Sequence, residues 1–243
     1  MLFLWARALQ SNARHWPKQV EPQTWRVEPA RIEQWRQALL SDSSLLVRTD
    51  LGAGSRGLTT HEVAIQTSRL AQRSLTPERD VHALCRWLRC IGKEGGFLEL
   101  GTSLGVTAAY VASVGWSVET WEGCPQTLMK AQEGWRLMGL DAHVQSKQDA
   151  FQNLLAGLTS EQAWDVIYVD GCHEEHATLQ MVDILAKHAL VAIVLDDIAW
   201  SSGMHRAWEK LKQRPEWRVS MSWRGRGFLI KAPHMASQHH ALA

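Results

Sequence analysis

The stretch whose reading decides the fold is Phe97-Leu98-Glu99-Leu100-Gly101-Thr102-Ser103-Leu104-Gly105. A short apolar run carries one acid and then breaks at glycines. A segment of small and apolar residues, Val106 to Ser113, follows it. That order reads as strand, tight turn and helix. The pattern then repeats: apolar runs at 97–100, 117–122, 142–146, 165–170 and 190–196 alternate with helical patterns near 106–113, 125–138, 151–158, 174–188 and 204–213. Such alternation predicts a parallel sheet with helices on both faces. The ending differs. Trp217 to Trp223 alternates, Arg224-Gly225-Arg226-Gly227 turns, and Phe228 to Lys231 returns, which is a hairpin signal.

Upstream, residues 1–30 contain Pro17, Pro22 and Pro29 and read as an arm. Ile32, Trp35 and Leu39 recur at helical spacing, so 31–40 is expected to be a helix, with Leu45 to Arg48 as a short extended piece. Thr60 to Ser74 and Pro77 to Ile91 read as two amphipathic helices, the second opened by a proline at its start. Asp50-Leu51-Gly52-Ala53-Gly54-Ser55-Arg56 looks like a nucleotide loop. The run before it is short, and the stretch about 20 residues on, Ala71-Gln72-Arg73-Ser74, is helical and basic, so it reads as a glycine turn or lid. The expected organisation is an arm and helical annex over 1–94, one α/β domain over 95–231 and a polar tail over 232–243.

Composition sets bounds. The chain of 243 residues is long enough for one sizeable core, and 45% hydrophobic with 21% charged residues is ordinary for a globular protein. A net charge of +1 gives no general attraction to nucleic acid or membranes. Residues 206–231 hold eight Lys or Arg against two Glu, which reads as a solvated helix face and hairpin turn. Nucleic acid is therefore not the expected partner. The four cysteines have neither a paired CxxC nor zinc spacing and read as free thiols in a reducing compartment. No apolar run approaches a membrane span, and Met1 to Ala8 lacks the marks of a signal peptide. A cytoplasmic protein, alone or as a homo-oligomer, is the expectation.

Ligands of such sheets bind beyond the carboxyl ends of the strands. Acids and glycines stand at those ends here. Gly101 permits a tight turn, with Thr102 and Ser103 in it, and Gly105 lets the next helix pack close. Glu99 can face a cationic amino-acid group. Glu122, 21 residues after Gly101 and followed by Gly123, can accept from both hydroxyls of a ribose. Asp149 can accept from an adenine amino group, with the Ala150 N–H toward the ring. Across the pocket stand Asp170, His173, Asp196 and Asp197. Three carboxylates are the hard oxygen ligands that Mg²⁺ prefers, and such an ion would lower the pKa of a bound hydroxyl. Asp170 and His173 are the candidate catalytic groups, with His173 as the base.

Glu99 to Gly105, Trp121-Glu122-Gly123-Cys124-Pro125, Gln148-Asp149-Ala150 and Tyr168 to His173 resemble the successive motifs of class I S-adenosylmethionine-dependent methyltransferases. The resemblance is nearest to a bacterial branch with Asp-Gly-x-His after the fourth strand and Asp-Asp-Ile-x-Trp-Ser after the fifth. Here these are Asp170 to His173 and Asp196 to Ser201. It implies a Rossmann-like methyltransferase fold, α/β, with a seven-stranded, mostly parallel sheet ending in an antiparallel hairpin. It also implies S-adenosylmethionine as methyl donor and an oxygen acceptor on a small molecule. Related sugar and catechol enzymes use acids at the same two strand ends, and Asp170 would then serve both cofactor and metal.

Three other readings stand beside this one. Gly101-Thr-Ser-Leu-Gly105 fits the elbow of a serine hydrolase, with Ser103 as nucleophile, Asp170 or Asp197, and His205 in the right chain order. It leaves Glu122 and Asp149 unused. A nicotinamide dehydrogenase would need a Gly-x-Gly-x-x-Gly that Ser103 and Val106 break. A non-catalytic module that binds the same cofactor, or a partner protein, is the third.

Overall fold

The computed structural model describes residues 24–50 and 61–242. The expected arm up to residue 23 and the glycine turn at 51–56 lie outside the described residues. The elements run α1 (Pro29–Ser41), β1 (Leu45–Asp50), β2 (His61–Gln66), α2 (Thr67–Ser74), α3 (Glu78–Ile91), β3 (Gly96–Leu100), α4 (Val106–Ser113), β4 (Ser117–Glu122) and α5 (Pro125–Met138). They continue with β5 (Val144–Gln148), α6 (Phe151–Ala156), β6 (Trp164–Val169), α7 (Glu175–Leu185), β7 (Ala189–Leu195), α8 (Ser202–Leu211), β8 (Val219–Trp223), β9 (Arg226–Ile230) and β10 (Gln238–Leu242).

The main sheet has the order β10-β8-β9-β7-β6-β3-β4-β5. Strands β3 to β7 pair parallel, and β9 pairs antiparallel with both β7 and β8. The expected topology is therefore present, with one strand more. Residues 238–242, expected as polar tail, pair parallel with β8 and extend its edge.

The strands are buried on both faces because each alternates its side chains between two cores. Phe97, Val166, Tyr168 and Val194 face α3, α4 and α5 on one side. Leu98, Leu100, Ile167 and Leu195 face α7 and α8 on the other. Helix α4 is buried along its whole length, which explains its small residues. Four of the tryptophans, at positions 87, 116, 121 and 217, are fully buried in these cores.

The annex is less helical than its sequence suggested. His61 to Gln66, read as the start of a helix, is a strand paired antiparallel with β1, and the helix begins only at Thr67. Ile32, Leu39, Leu46 and Leu70 join the same core as Tyr110 and Trp135. Gln126 accepts from the Val47 N–H at 2.6 Å, and the Cys124 thiol donates to the Val47 carbonyl at 3.5 Å. These contacts fix β1 beside the end of β4.

Candidate active site

A cavity of about 700 Å³ opens at the carboxyl ends of β3, β4, β6 and β7. That size suits a cofactor and a small second ligand. One wall is the annex, through Arg48, Thr49, Ile65, Arg73 and Ser74. The opposite wall carries Cys172, His173, Asp197 and Trp200.

The floor begins with the loop after β3. Gly101 has φ +104, and a Cβ there would collide with the Asp170 carbonyl oxygen. The close approach of these two strand ends thus requires glycine. Gly105, at φ +74, starts α4, and a Cβ would come within 2.7 Å of the Ala131 Cβ. Gly105 shapes the turn from behind and does not line the cavity.

Glu122 ends β4 and lines the cavity. Its two carboxylate oxygens accept the Ser103 and Cys124 N–H groups, each at 2.9 Å. Burial pushes its pKa up, and these main-chain donors oppose that shift. The carboxylate is held in place with lone pairs to spare for a diol. Gly123 and Ala150 line the wall beside it. Asp149 stands outside the lining. Its Oδ1 accepts from the Ala150 N–H at 2.7 Å and the Asn153 amide at 2.8 Å, so both partners are engaged locally at the start of α6.

Glu99 and Thr102 lie beneath the floor rather than on it. Glu99 is 1% exposed and accepts from the Thr120 hydroxyl at 2.6 Å, which in turn lies 2.6 Å from Thr102 Oγ1. Burial, aided by the nearby Glu122 charge, raises the Glu99 pKa to about 8. Asp170, beside Gly101, is raised well above the usual carboxylate range, first by burial and then by Asp196, Glu99 and Asp197. Burial and mutual repulsion thus push Glu99 and Asp170 toward the protonated form.

On the far side, His173 Nε2 lies 4.0 Å from Asp197 Oδ2, and its ring centroid is 6.2 Å from that of Trp200. His173 Nδ1 is buried without a hydrogen-bond partner. Trp200 is 71% exposed at the cavity rim. Ser103, Cys172 and Asp197 all have positive φ, at +48, +63 and +54. Such backbone costs about 1–3 kcal/mol per residue and concentrates at ligand sites.

The structure brings Asp170, His173, Asp196 and Asp197 to one cavity. The carboxylates do not form an open cation site as arranged. Asp196 Oδ2 accepts from the Tyr168 hydroxyl and pairs with the Arg226 guanidinium at 3.2 Å, and Oδ1 accepts the Asp197 N–H at 2.9 Å. Among the described residues, no group of three or more His, Cys, Asp or Glu could hold a metal ion. The donor set does not fit Mg²⁺ in this arrangement, because a guanidinium already stands against the central acid.

Arg226 is the cavity residue that the sequence hid. It read as part of a solvated basic turn, yet it is 5% exposed and lines the cavity. Its position in the first residue of a buried strand was the available signal. The serine-hydrolase geometry is not assembled: Ser103 donates to Ser74 Oγ at 2.8 Å, and His205 is outside the lining.

Residues 98–198 match a family model described as a methyltransferase domain. No curated protein matches the chain. Solved structures with the same fold include an O-methyltransferase from Bacillus cereus in complex with S-adenosylhomocysteine, at 16% identity and TM-score 0.56, covering 83% of this chain and 89% of that one. TomG from Streptomyces achromogenes, an O-methyltransferase of tomaymycin synthesis solved with S-adenosylmethionine, matches at 16% identity and TM-score 0.55, over 82% and 98%. Cofactor-bound Rv0187 from Mycobacterium tuberculosis matches at 16% and 0.56, over 65% and 82%. Residues 98–198 thus match a methyltransferase domain, and the chain shares its fold with these O-methyltransferases. Among the described residues no helix is long and apolar enough to cross a membrane.

Proposed function

We propose that this protein transfers the methyl group of S-adenosylmethionine to an oxygen of a small-molecule acceptor. The observation that carries this reading is the paired Gly101–Glu122 floor. A glycine turn is pressed against Asp170, and a preorganised carboxylate ends the neighbouring strand. The solved relatives that carry the donor or its product in the same fold support it.

The residues fit that cofactor on electrostatic grounds. Glu99, Glu122 and Asp170 are acids whose pKa values are raised by burial, with neighbouring carboxylates adding to the shift at Glu99 and Asp170. A cationic ligand would relieve them. When bound, S-adenosylmethionine supplies an electrophilic methyl on a sulfonium, with a neutral thioether as leaving group. Glu122 would hold the ribose and Ala150 would face the adenine. Gly101, Ser103 and Gly123 would let the backbone approach, with Thr102 and Asp149 bracing that wall.

The chain's remaining tasks are positioning and deprotonation. The His173 imidazole takes the proton that the acceptor hydroxyl loses as its oxygen gains the methyl. Asp197 stands behind that imidazole, its Oδ2 4.0 Å from His173 Nε2. Asp170 orients the ligands at the junction of the two half-sites. The exposed face of Trp200 closes the acceptor side. No step is assigned to a metal.

The test is methyl transfer from labelled S-adenosylmethionine to a panel of hydroxylated small molecules. Label should pass to an acceptor with the native protein and fail with His173→Ala, while cofactor affinity is kept. Transfer at the native rate by His173→Ala would overturn the assignment of the base.

A further inference from the structure

We propose that Arg226 is the built-in cation of the acceptor half-site. It stands against Asp196, where a divalent ion would have to sit to bridge these acids, and it positions the Asp197–His173 pair through Asp196. The inference rests on the reading of this cavity as a methyl-transfer site.

The geometry behind it is a buried fork. Arg226 Nη2 lies 3.2 Å from Asp196 Oδ2, Nη1 lies 3.4 Å from Asp80 Oδ2, and Nε donates to the Tyr168 hydroxyl at 3.2 Å. Three elements, α3, β6 and the end of β7, thus meet on one guanidinium. Asp80 is itself buried and also takes Arg224 Nε at 3.0 Å, so the hairpin turn is anchored twice. A planar, permanently charged group with several donors in a fixed fork suits this task, whereas an ammonium would reach fewer partners.

Asp196 then passes the order on. With Oδ2 held by Arg226 and Tyr168, its Oδ1 is left to accept the Asp197 N–H at 2.9 Å. That bond stabilises the positive φ of Asp197, a conformation unfavourable for a residue with a side chain. A second tie, from the Ile198 N–H to the Gly225 carbonyl at 2.8 Å, joins the same loop to the same turn. The Asp197 carboxylate consequently faces His173, at 4.0 Å, and the loop carries Trp200 to the rim. A metal centre would fix such a loop by coordination. Here hydrogen bonds from one arginine fix it.

The experiment uses the full chain. Mn²⁺ is titrated and its free form followed by electron paramagnetic resonance, with and without S-adenosylhomocysteine. The native protein should bind no Mn²⁺ in the low millimolar range, and its methyl transfer should be the same in chelator as in Mg²⁺. Stoichiometric Mn²⁺ binding overturns the proposal.

Arg226→Lys keeps the charge and loses the fork. It should lower kcat by about tenfold or more, the scale of losing one positioning hydrogen bond to a charged group. Its cofactor dissociation constant and melting temperature should stay close to native. Native kcat in Arg226→Lys would overturn the positioning role. Arg226→Met leaves Asp80 and Asp196 uncompensated and should either bind Mn²⁺ or fail to fold, both expected of an internal cation. A folded Arg226→Met that binds no Mn²⁺ and keeps kcat would refute it. Failure of the native protein to bind S-adenosylmethionine would sink the proposed function instead, and the Mn²⁺ titration would still report on Arg226.

Discussion

Glu99 provides a prediction that can be worked through in numbers. The carboxyl is 1% exposed, it accepts from the Thr120 hydroxyl, and its pKa rises to about 8 from an ordinary 4.5. The folded protein therefore holds a proton on Glu99 at pH 6 or 7 that the unfolded chain has already lost. Between those two pKa values the native state binds more protons than the unfolded state. Stability then falls as pH rises, and the loss ends once the pH passes about 8. At about 1.4 kcal/mol for each pH unit, the fall between pH 6 and 8 is roughly 2.5 kcal/mol.

Glu99→Gln keeps the shape and the carbonyl acceptor but cannot ionise. It should be close to native at pH 6 and more stable than native by roughly 2.5 kcal/mol at pH 8. Urea denaturation of both proteins at pH 6, 7, 8 and 9 measures the difference directly. Parallel stability curves across that range would refute the reasoning, because they would mean that Glu99 titrates alike in the folded and unfolded chain. Saturating S-adenosylmethionine should reduce the difference, since a cation nearby favours the ionised carboxyl.

Further outcomes follow from the same geometry. Gly101→Ala places a Cβ into the Asp170 carbonyl at a left-handed φ and should cost about 3 kcal/mol or more of stability, with cofactor binding lost, as read by thermal unfolding and calorimetry. Trp200→Ala removes an exposed ring, so the melting temperature should hold while KM for a planar acceptor rises up to about tenfold. Affinity for S-adenosylmethionine should strengthen as pH rises toward 8, because Glu99 and Asp170 must release protons to meet a cation. Calorimetry in two buffers of different ionisation enthalpy would detect those protons, and S-adenosylhomocysteine, without the sulfonium, should release fewer.

The regular part of the fold was legible because it is written in local signals. Phe97 to Gly105 carries a strand, a positive-φ glycine and a helix start in nine residues, and the structure has all three. The hairpin after α8 was legible for the same reason, through the Arg-Gly-Arg-Gly turn. His61 to Gln66 was not, because six residues of mixed polarity gain strand character only from pairing with β1. Gln238 to Leu242 has little strand propensity and depends wholly on the edge of β8. Glu122 could be placed at its strand end from spacing. Glu99 was expected to face the ligand and instead lies under the turn, a distinction of depth that sequence order does not encode. One misreading was of charge. Arg226 looked like surface because arginine usually is, and only the packing of Asp80, Tyr168 and Asp196 around it makes it an interior residue.

The central claim is that the floor between Gly101 and Glu122 binds S-adenosylmethionine. Isothermal titration of the native protein and of Glu122→Ala tests it most directly. The account predicts one molecule bound per chain, by the native protein, with affinity reduced at least tenfold when the Glu122 carboxylate is removed, the scale of a charge-assisted hydrogen-bond pair. Absence of binding of both S-adenosylmethionine and S-adenosylhomocysteine by the native protein, or equal affinity in Glu122→Ala, would contradict it.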